Sequence, residues 1–225
     1  MELRAAIQER HSIRGFTMKQ VERRTVEDVL TLATRAISAV NAQPWHVTVV
    51  SGEPLEIIRA ENVWHWEHGN LPQMSYENIR GVYHERRVAI AKQLLQSMQI
   101  SRDDRERRNW WLERGYRFFD APVALILHMD DSLDETTYRF DMGCLAQNIC
   151  LAAMEFGLGT CVEYQGISYP DVIREKLHIP ENHKIVCGIA LGYPDQDFPA
   201  NNVISERADL KNITTWLGFP SGQER

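Results

Sequence analysis

The chain has 225 residues and a formal net charge of −6, long enough for one large domain and of the wrong sign for generic binding to nucleic acid or a membrane surface, which needs a basic face. Apolar residues make up 44% and charged residues 25%, the balance of a soluble globular protein. The four cysteines (Cys144, Cys150, Cys161, Cys187) lie in apolar surroundings without CxxC spacing. They read as reduced packing residues rather than a thiol catalyst or metal site. Met1-Glu-Leu-Arg4 enters an amphipathic helix directly, without the apolar core of a secretory signal, so a cytoplasmic location is expected.

Residues 2–9 are expected to form a short helix with Leu3, Ala6 and Ile7 on one face. It leads into Arg10-His-Ser-Ile-Arg14-Gly-Phe16. Alternate residues of an extended chain share a side, so Arg10, Ser12 and Arg14 face one ligand together. Two guanidinium forks flanking a hydroxyl suit a phosphate; a solvated basic loop is the plainer alternative. Thr25 is expected to cap a second helix, with Glu27 and Asp28 in its first turn and Val26, Val29, Leu30, Leu32, Ala33 and Ala36 buried. This helix fades at Ser38–Asn41. Pro44 stops helical structure and extends Gln43, and the β-branched run His46–Val50 reads as a strand. The amides of Asn41-Ala-Gln-Pro-Trp45 fit either a planar polar heterocycle or a helix-to-strand corner.

A short helix is expected over 55–61. Between Asn62 and Tyr83 the chain is aromatic and weakly periodic, the composition of a lid over a pocket or of a satellite aromatic cluster. His65, His68 and His84 have no Cys or carboxylate at ligand spacing, so no metal is expected. A helix over 85–98 turns Val88, Ala91, Leu94, Leu95 and Met98 inward. Another opens at Ser101-Arg-Asp-Asp104 and runs through Trp110, Trp111 and Tyr116 to Phe119. Its arginines alternate with acids, which reads as a salt-bridged solvent face. Val123–Met129 is a buried strand.

Met142–Phe156 holds one charge, Glu155, and is apolar all round. It is expected to be a helix buried on most sides, needing cover on both. Gln147 and Asn148 punctuate it, and it is too short to cross a membrane. Gly157 ends it, Leu158–Val162 is a strand, Pro170 opens a helix ending near Leu177, and Lys184–Leu191 is the last buried strand. The tail beyond Asp197 carries Ile213, Trp216, Leu217 and Phe219, apolar side chains expected to pack on a second copy of the chain.

GxGxxG, GxxxxGK, GxSxG and HExxH are all absent. Instead, Arg10–Phe16, Ser38–Trp45, Phe119–Pro122, Gln147-Asn148, Gly157–Thr160, Gly188–Pro194 and Ser205–Arg207 follow in one order. Over about residues 3–217 that order resembles the FMN-dependent nitroreductase family. The resemblance implies an α+β fold with a mostly antiparallel sheet sandwiched by helices. It implies a single domain over 1–225, built as an intertwined homodimer around the long buried helix, with FMN at the interface. An aromatic lid would span about 62–84, and a C-terminal arm over about 195–225 would pack on the partner.

Carried over by position, Arg10, Ser12 and Arg207 hold the FMN phosphate, with His11 in the same run. Arg14 lies near the ribityl chain and the N1/O2 edge. Ser38, Ala39 and Asn41 approach the flavin from the other subunit with Gln43 close by, and the backbone of Glu163 and Tyr164 lies near N5. Ser205 stands where many relatives carry a second basic residue, which shifts the expected phosphate grip toward Arg10 and Arg14. Trp64, Trp66, Tyr76, Tyr83, Arg86 and Arg87 are lid candidates for an aromatic, anionic substrate.

The implied chemistry is a ping-pong reduction in which NAD(P)H gives hydride to flavin N5 and a nitroaromatic then receives it, so no catalytic side chain is expected. Positive charge at Arg14 would stabilise reduced flavin. Ene reductases, flavin reductases and reductive dehalogenases share the cofactor site and are the enzymatic alternatives. An Arg-rich binding module over 102–117, marked by salt-steep nucleic-acid affinity, is the non-enzymatic one.

Overall fold

The computed structural model describes residues 1–70, 72 and 79–219. Its centre is Val123–Asp130 (β2), buried at every residue but the last. Side chains of a strand alternate between faces, so a strand buried throughout needs cover on both. Val123, Leu125, Leu127 and Met129 enter one core, and Ala124 and Ile126 enter another. His183–Gly192 (β4) pairs antiparallel with β2, His46–Ser51 (β1) flanks β2, and Gly159–Glu163 (β3) flanks β4. The sheet order is therefore β1-β2-β4-β3.

Counting helices in chain order, α1 is Leu3–Glu9, α2 Arg23–Ala33, α3 Gly52–Glu67, α4 Gly81–Ser97, α5 Arg105–Tyr116, α6 Glu135–Glu155 and α7 Pro170–Leu177. One face of the sheet packs on α2 and α6 through Val26, Val29, Met142, Leu145 and Ile149. The other packs on α3, α7 and a turn at Phe118–Asp120 through Leu55, Ile58, Ile173 and Phe118. A third, smaller cluster joins Leu94 and Met98 to Ala200, with Trp111 and Phe198 at its edge.

Several boundaries differ from the sequence expectation. The second helix begins at Arg23, with Glu22 rather than Thr25 at the cap and no acidic residue in its first turn. The burial of Val26, Val29 and Ala33 sets its position, not a side-chain cap. The helix expected over 55–61 runs from Gly52 to Glu67. Its buried residues Leu55, Ile58, Arg59 and Asn62 recur at helical spacing, and two are polar, which hides the period. They are used: Arg59 Nε donates to Arg117 O at 2.8 Å, and Asn62 Nδ2 donates to Tyr116 O at 3.1 Å and Gly166 O at 2.8 Å. Trp64 and Trp66 thus lie on a helix rather than in an irregular segment, and Tyr83 lies in the first turn of α4. The fifth helix stops at Tyr116, and Phe118, Phe119 and Asp120 take left-handed backbone with φ of 53°, 53° and 57°. Arg114 and Arg117 both pair with Asp120 to hold that turn.

The long helix starts at Glu135, capped by Asp134, which accepts from Thr137 N at 2.8 Å. Its own chain covers one face only: Phe140 on the other is 66% exposed, and Gly143 and Gln147 are exposed beside it.

A polar cluster sits at the irregularity between Leu127 and His128. His128 Nδ1 lies 2.8 Å from His183 Nδ1, Thr48 Oγ1 lies 2.9 Å from His128 Nε2, and the His46 ring is centred 4.6 Å from that of His183. Burial, reinforced by His183 and His46, pushes His128 down to about 4. Neutral in the fold and ionised in the unfolded chain below its ordinary value, His128 contributes stability that is present above pH 6.5 and lost as pH falls toward 4. Urea unfolding is expected to show the wild type losing on the order of 2–3 kcal/mol more than His128→Asn across that window. Parallel losses would show that His128 is not neutral in the fold.

Candidate functional site

Residues 10–17 run extended along the open edge of β3. Ile13 N donates to Thr160 O at 2.9 Å and Thr17 N to Tyr193 O at 2.9 Å, with bridges at Ser12–Thr160 and Phe16–Pro194. With Ile13 buried against the core, Arg14 is turned into a cavity of about 700 Å³. Trp111, Leu112, Tyr116 and Phe119 form its walls, and Cys161–Gln165, at the end of β3, its floor. Arg87 stands at its margin.

The backbone at Arg14 is held from two sides. Asn201, which is buried, accepts from Arg14 N at 2.7 Å and Gly15 N at 3.0 Å, and donates to Gly15 O at 2.8 Å and Asp195 O at 2.9 Å. Arg114 Nη2 donates to Arg14 O at 2.9 Å and Phe119 O at 3.1 Å, while Nη1 donates to Asp120 at 2.8 Å. Burial lowers the Arg114 pKa, opposed by Asp120. Gly15 admits no side chain, because a Cβ there would lie 2.1 Å from the Phe198 ring. Neither Asn201 nor Arg114 carried a sequence signal: Asn201 lies in a featureless tail, and Arg114 is one of many arginines on an apparently solvent-facing helix.

Glu163 turns inward beneath the floor. One carboxylate oxygen accepts from Gly166 N at 2.7 Å, and the other, Oε1, is buried with no hydrogen-bond partner. Burial pushes its pKa up to about 8. Burial likewise raises the Cys161 thiol to about 11, so no thiolate nucleophile is at hand.

The cavity thus brings together Arg14, Glu163, Tyr164 and Arg87. Ser12 does not line it; its side chain acts on the Cys161 thiol, opposing the effect of burial. His11 Nδ1 contacts Glu9 O at 2.7 Å, and Arg10 acts electrostatically on Cys150. Ser38 and Ala39 line a separate depression beside Phe140 and Asp141, where Ala39 N donates to Asp141 Oδ2 at 3.0 Å. Asn41 and Gln43 bond to each other at 3.2 Å. Val40, Asn41 and Gln43 have φ of 47°, 59° and 48°, a strain for non-glycine residues of the kind that collects at functional sites.

Among the lid candidates, Trp66 stacks on Tyr116 behind the cavity wall, Trp64 stacks on His68, and Tyr83 is exposed. None of these three lines the cavity, and Tyr76 lies outside the described residues. Arg86 and Arg207 share a second groove with Arg87. His65 stacks on Tyr169, and no metal-binding cluster occurs among the described residues. Of the arginines in 102–117, Arg107, Arg114 and Arg117 are tied to main-chain carbonyls or to Asp120, which depletes the face that a binding module would need.

Two outcomes follow from this geometry. Asn201→Ala leaves the Arg14 and Gly15 amides buried without their acceptor, and thermal or urea unfolding should register a loss of about 2–4 kcal/mol. Glu163 is protonated in the fold and ionised above about pH 4.5 when unfolded, so its contribution is full below that value and lost as pH rises toward 8. Between pH 5 and 8 Glu163→Gln should gain on the wild type by on the order of 2–4 kcal/mol; a constant difference would mean that the buried carboxyl is ionised.

A profile of the nitroreductase family matches residues 7–193. The nitrobenzene nitroreductase of Ectopseudomonas oleovorans is 34% identical over 217 residues, covering 94% of this chain and 95% of that protein. The FMN- and NADPH-dependent nitroreductase NfnB from Sphigopyxis sp. strain HMH superposes with a TM-score of 0.92 at 28% identity, over 97% of this chain and all of that one. The FMN-dependent nitroreductase NfnB from Mycobacterium smegmatis, solved with NADPH, superposes at 0.88 with 29% identity over 95% and 97%. On this match of profile, sequence and fold, the chain belongs to the nitroreductase family.

Proposed function

We propose that this chain is an FMN-dependent NAD(P)H oxidoreductase that reduces nitroaromatic acceptors by a ping-pong route. The observation that carries this reading is the cavity itself. A backbone-held Arg14, the end of β3 and three aromatic walls converge there, and among the described residues lining it no hydroxyl or thiol is paired with a general base. Such a donor set suits a planar ring with an anionic edge, which is the chemistry of a flavin. FMN, when bound, supplies the hydride-accepting and hydride-donating centre.

The chain's own residues supply the environment. Arg14 offers positive charge where negative charge gathers, and Asn201 and Arg114 fix the backbone that carries it, which limits the reorganisation needed. Glu163, kept neutral by burial, places no opposing anion under the same floor. Trp111, Tyr116 and Phe119 exclude water and give flat apolar surfaces for an aromatic acceptor. The relatives described as nitrobenzene and chloronitrobenzene nitroreductases favour nitroaromatics over the other reductions.

The reading includes a homodimer of single-domain chains. Ser38, Ala39, Asn41 and Gln43 stay away from the cavity of their own chain, while Val40, Ile37 and Phe140 near them are exposed. The second copy would bring that segment to the first copy's cavity. It would also cover the open face of α6, with the C-terminal arm of Ile213, Trp216 and Leu217 laid across it. No helix among the described residues is long and apolar enough to cross a membrane.

The test is the visible spectrum of the purified protein, followed by anaerobic addition of NADPH or NADH and then nitrobenzene. Flavin bands that bleach and return, with parallel double-reciprocal plots, are expected. A colourless protein that fails to take up FMN would overturn the reading. Arg14→Ala should lower kcat/KM by about a hundredfold, and an unchanged value would remove Arg14 from its role.

A further inference from the structure

The floor of the main cavity holds an acid that hydride chemistry alone does not call on. Glu163 ends β3, is 7% exposed, and lines the cavity together with Arg14. Among the described residues of that lining it is the one carboxyl. Its side chain fills a cradle left by two glycines. A Cβ on Gly166 would lie 2.5 Å from Glu163 Oε1 and one on Gly188 of β4 2.9 Å from it, with the Phe118 ring against both positions. Oε2 accepts from Gly166 N at 2.7 Å, whereas Oε1 is buried without a hydrogen-bond partner.

A methionine would fill the same space without stranding an oxygen, so the carboxyl is held there at an energetic cost. The groups that ease its ionisation are two backbone amides, of Gly166 and Gln165, rather than a cation. Arg14 and Glu163 meet electrostatically at Cys161, whose thiol the guanidinium draws down and the carboxylate pushes up. Cation and acid therefore share one neighbourhood of low dielectric, where a second negative charge is felt strongly. An anion seated at Arg14 and an ionised Glu163 would repel each other, and a proton from solvent on Glu163 relieves that repulsion.

The other groups around Glu163 stay silent near neutral pH. Burial raises the Cys161 thiol to about 11, and burial, with Cys150 and Glu163, pushes Cys187 of β4 up to about 12. Burial also lifts the Tyr116 and Tyr164 hydroxyls above their ordinary value. From α3, Asn62 reaches Gly166 and does not titrate. Asp120, the acid of the Phe118 turn, is paired with Arg114 and Arg117.

We propose that Glu163 is a positioning residue for negative charge in the cavity, its carboxyl taking up one proton as two-electron reduction of the bound flavin places an anion beside Arg14. The inference rests on the flavin-dependent reading above. Hydride from the nicotinamide donor supplies both electrons, solvent supplies the proton to Glu163, and reoxidation by the acceptor releases it.

Anaerobic redox titration of the FMN-loaded protein from about pH 6 to about pH 10 tests this, with Glu163→Gln alongside. Glutamine keeps an acceptor for Gly166 N and cannot titrate. Up to about pH 8, where the carboxyl is already neutral, the two proteins should run parallel. Above it, the wild-type equilibrium constant for reduction should fall by a further tenfold per pH unit, about 30 mV for a two-electron couple. The variant should keep its shallower slope. A purely structural role would displace one line from the other and bend neither. A wild-type line without a bend overturns the inference whether or not the variant folds. A bend retained in Glu163→Gln overturns it too, by placing the proton elsewhere. Failure of the wild type to take up FMN would instead overturn the reading beneath it.

Discussion

The double-sided burial of the β2–β4 pair governs the architecture. Both strands are buried over nearly their whole length, so each face of the sheet demands a separate apolar cover. The chain draws those covers from distant segments: α2 and α6 for one face, α3, α7 and the Phe118–Asp120 turn for the other. The sheet ends at β1 on one side and β3 on the other, and it is along the outer edge of β3 that residues 10–17 dock and the cavity opens. The functional face is thus the place where the sheet's own hydrogen bonding ends. Unpaired edges are a liability unless something occupies them, and the N-terminal segment is the occupant.

The strands and helices themselves were legible because their signals are local. Val123–Met129 and Lys184–Leu191 are unbroken apolar runs, and Pro170 sits at a helix start where its missing N–H costs nothing. The grouping of Arg14 with Glu163 and Tyr164 was also legible, through the order of motifs rather than through any physical rule that joins such distant positions. What was not legible is what depends on partners far apart in sequence. Arg59 and Asn62 break the apolar stripe of α3, yet they are buried because Arg117, Tyr116 and Gly166 offer carbonyls to them. Trp64 and Trp66 suggested a lid because aromatic side chains obscure helical period. Asn201 and Arg114 depend on meeting Arg14, 187 and 100 positions away, and nothing in their own neighbourhoods announces that meeting.

Burial of neutral titratable groups is a second theme, and the two instances oppose each other. His128 is held uncharged in the low-pH direction and Glu163 in the high-pH direction. Over the range between the ordinary values of a carboxylate and an imidazole, one loses stability with rising pH while the other gains it. The two contributions oppose each other there, so each group is best seen against its own isosteric variant. The placement differs in consequence as well. The histidines sit on β1, β2 and β4 among Thr48, Asp130 and Asp131 and do not line the aromatic cavity, whereas Glu163 forms part of its floor.

In the proposed homodimer, the strained turn at Val40–Gln43 and the open face of α6 would share one neighbour. A β-branched residue with positive φ costs free energy that only a surrounding structure can offset, yet Val40 is 93% exposed in its own chain. Its neighbours Ile37 and Phe140 are exposed with it. A helix apolar on all sides is stable only when both faces are covered, and one chain covers one. A second copy related by a two-fold axis, as proposed above, would meet both demands with a single surface, because an isologous contact buries the same patch twice. In that arrangement the cavity's aromatic walls and its cation would come from one chain, and the strained segment of the other would have a ligand-binding reason to hold its conformation.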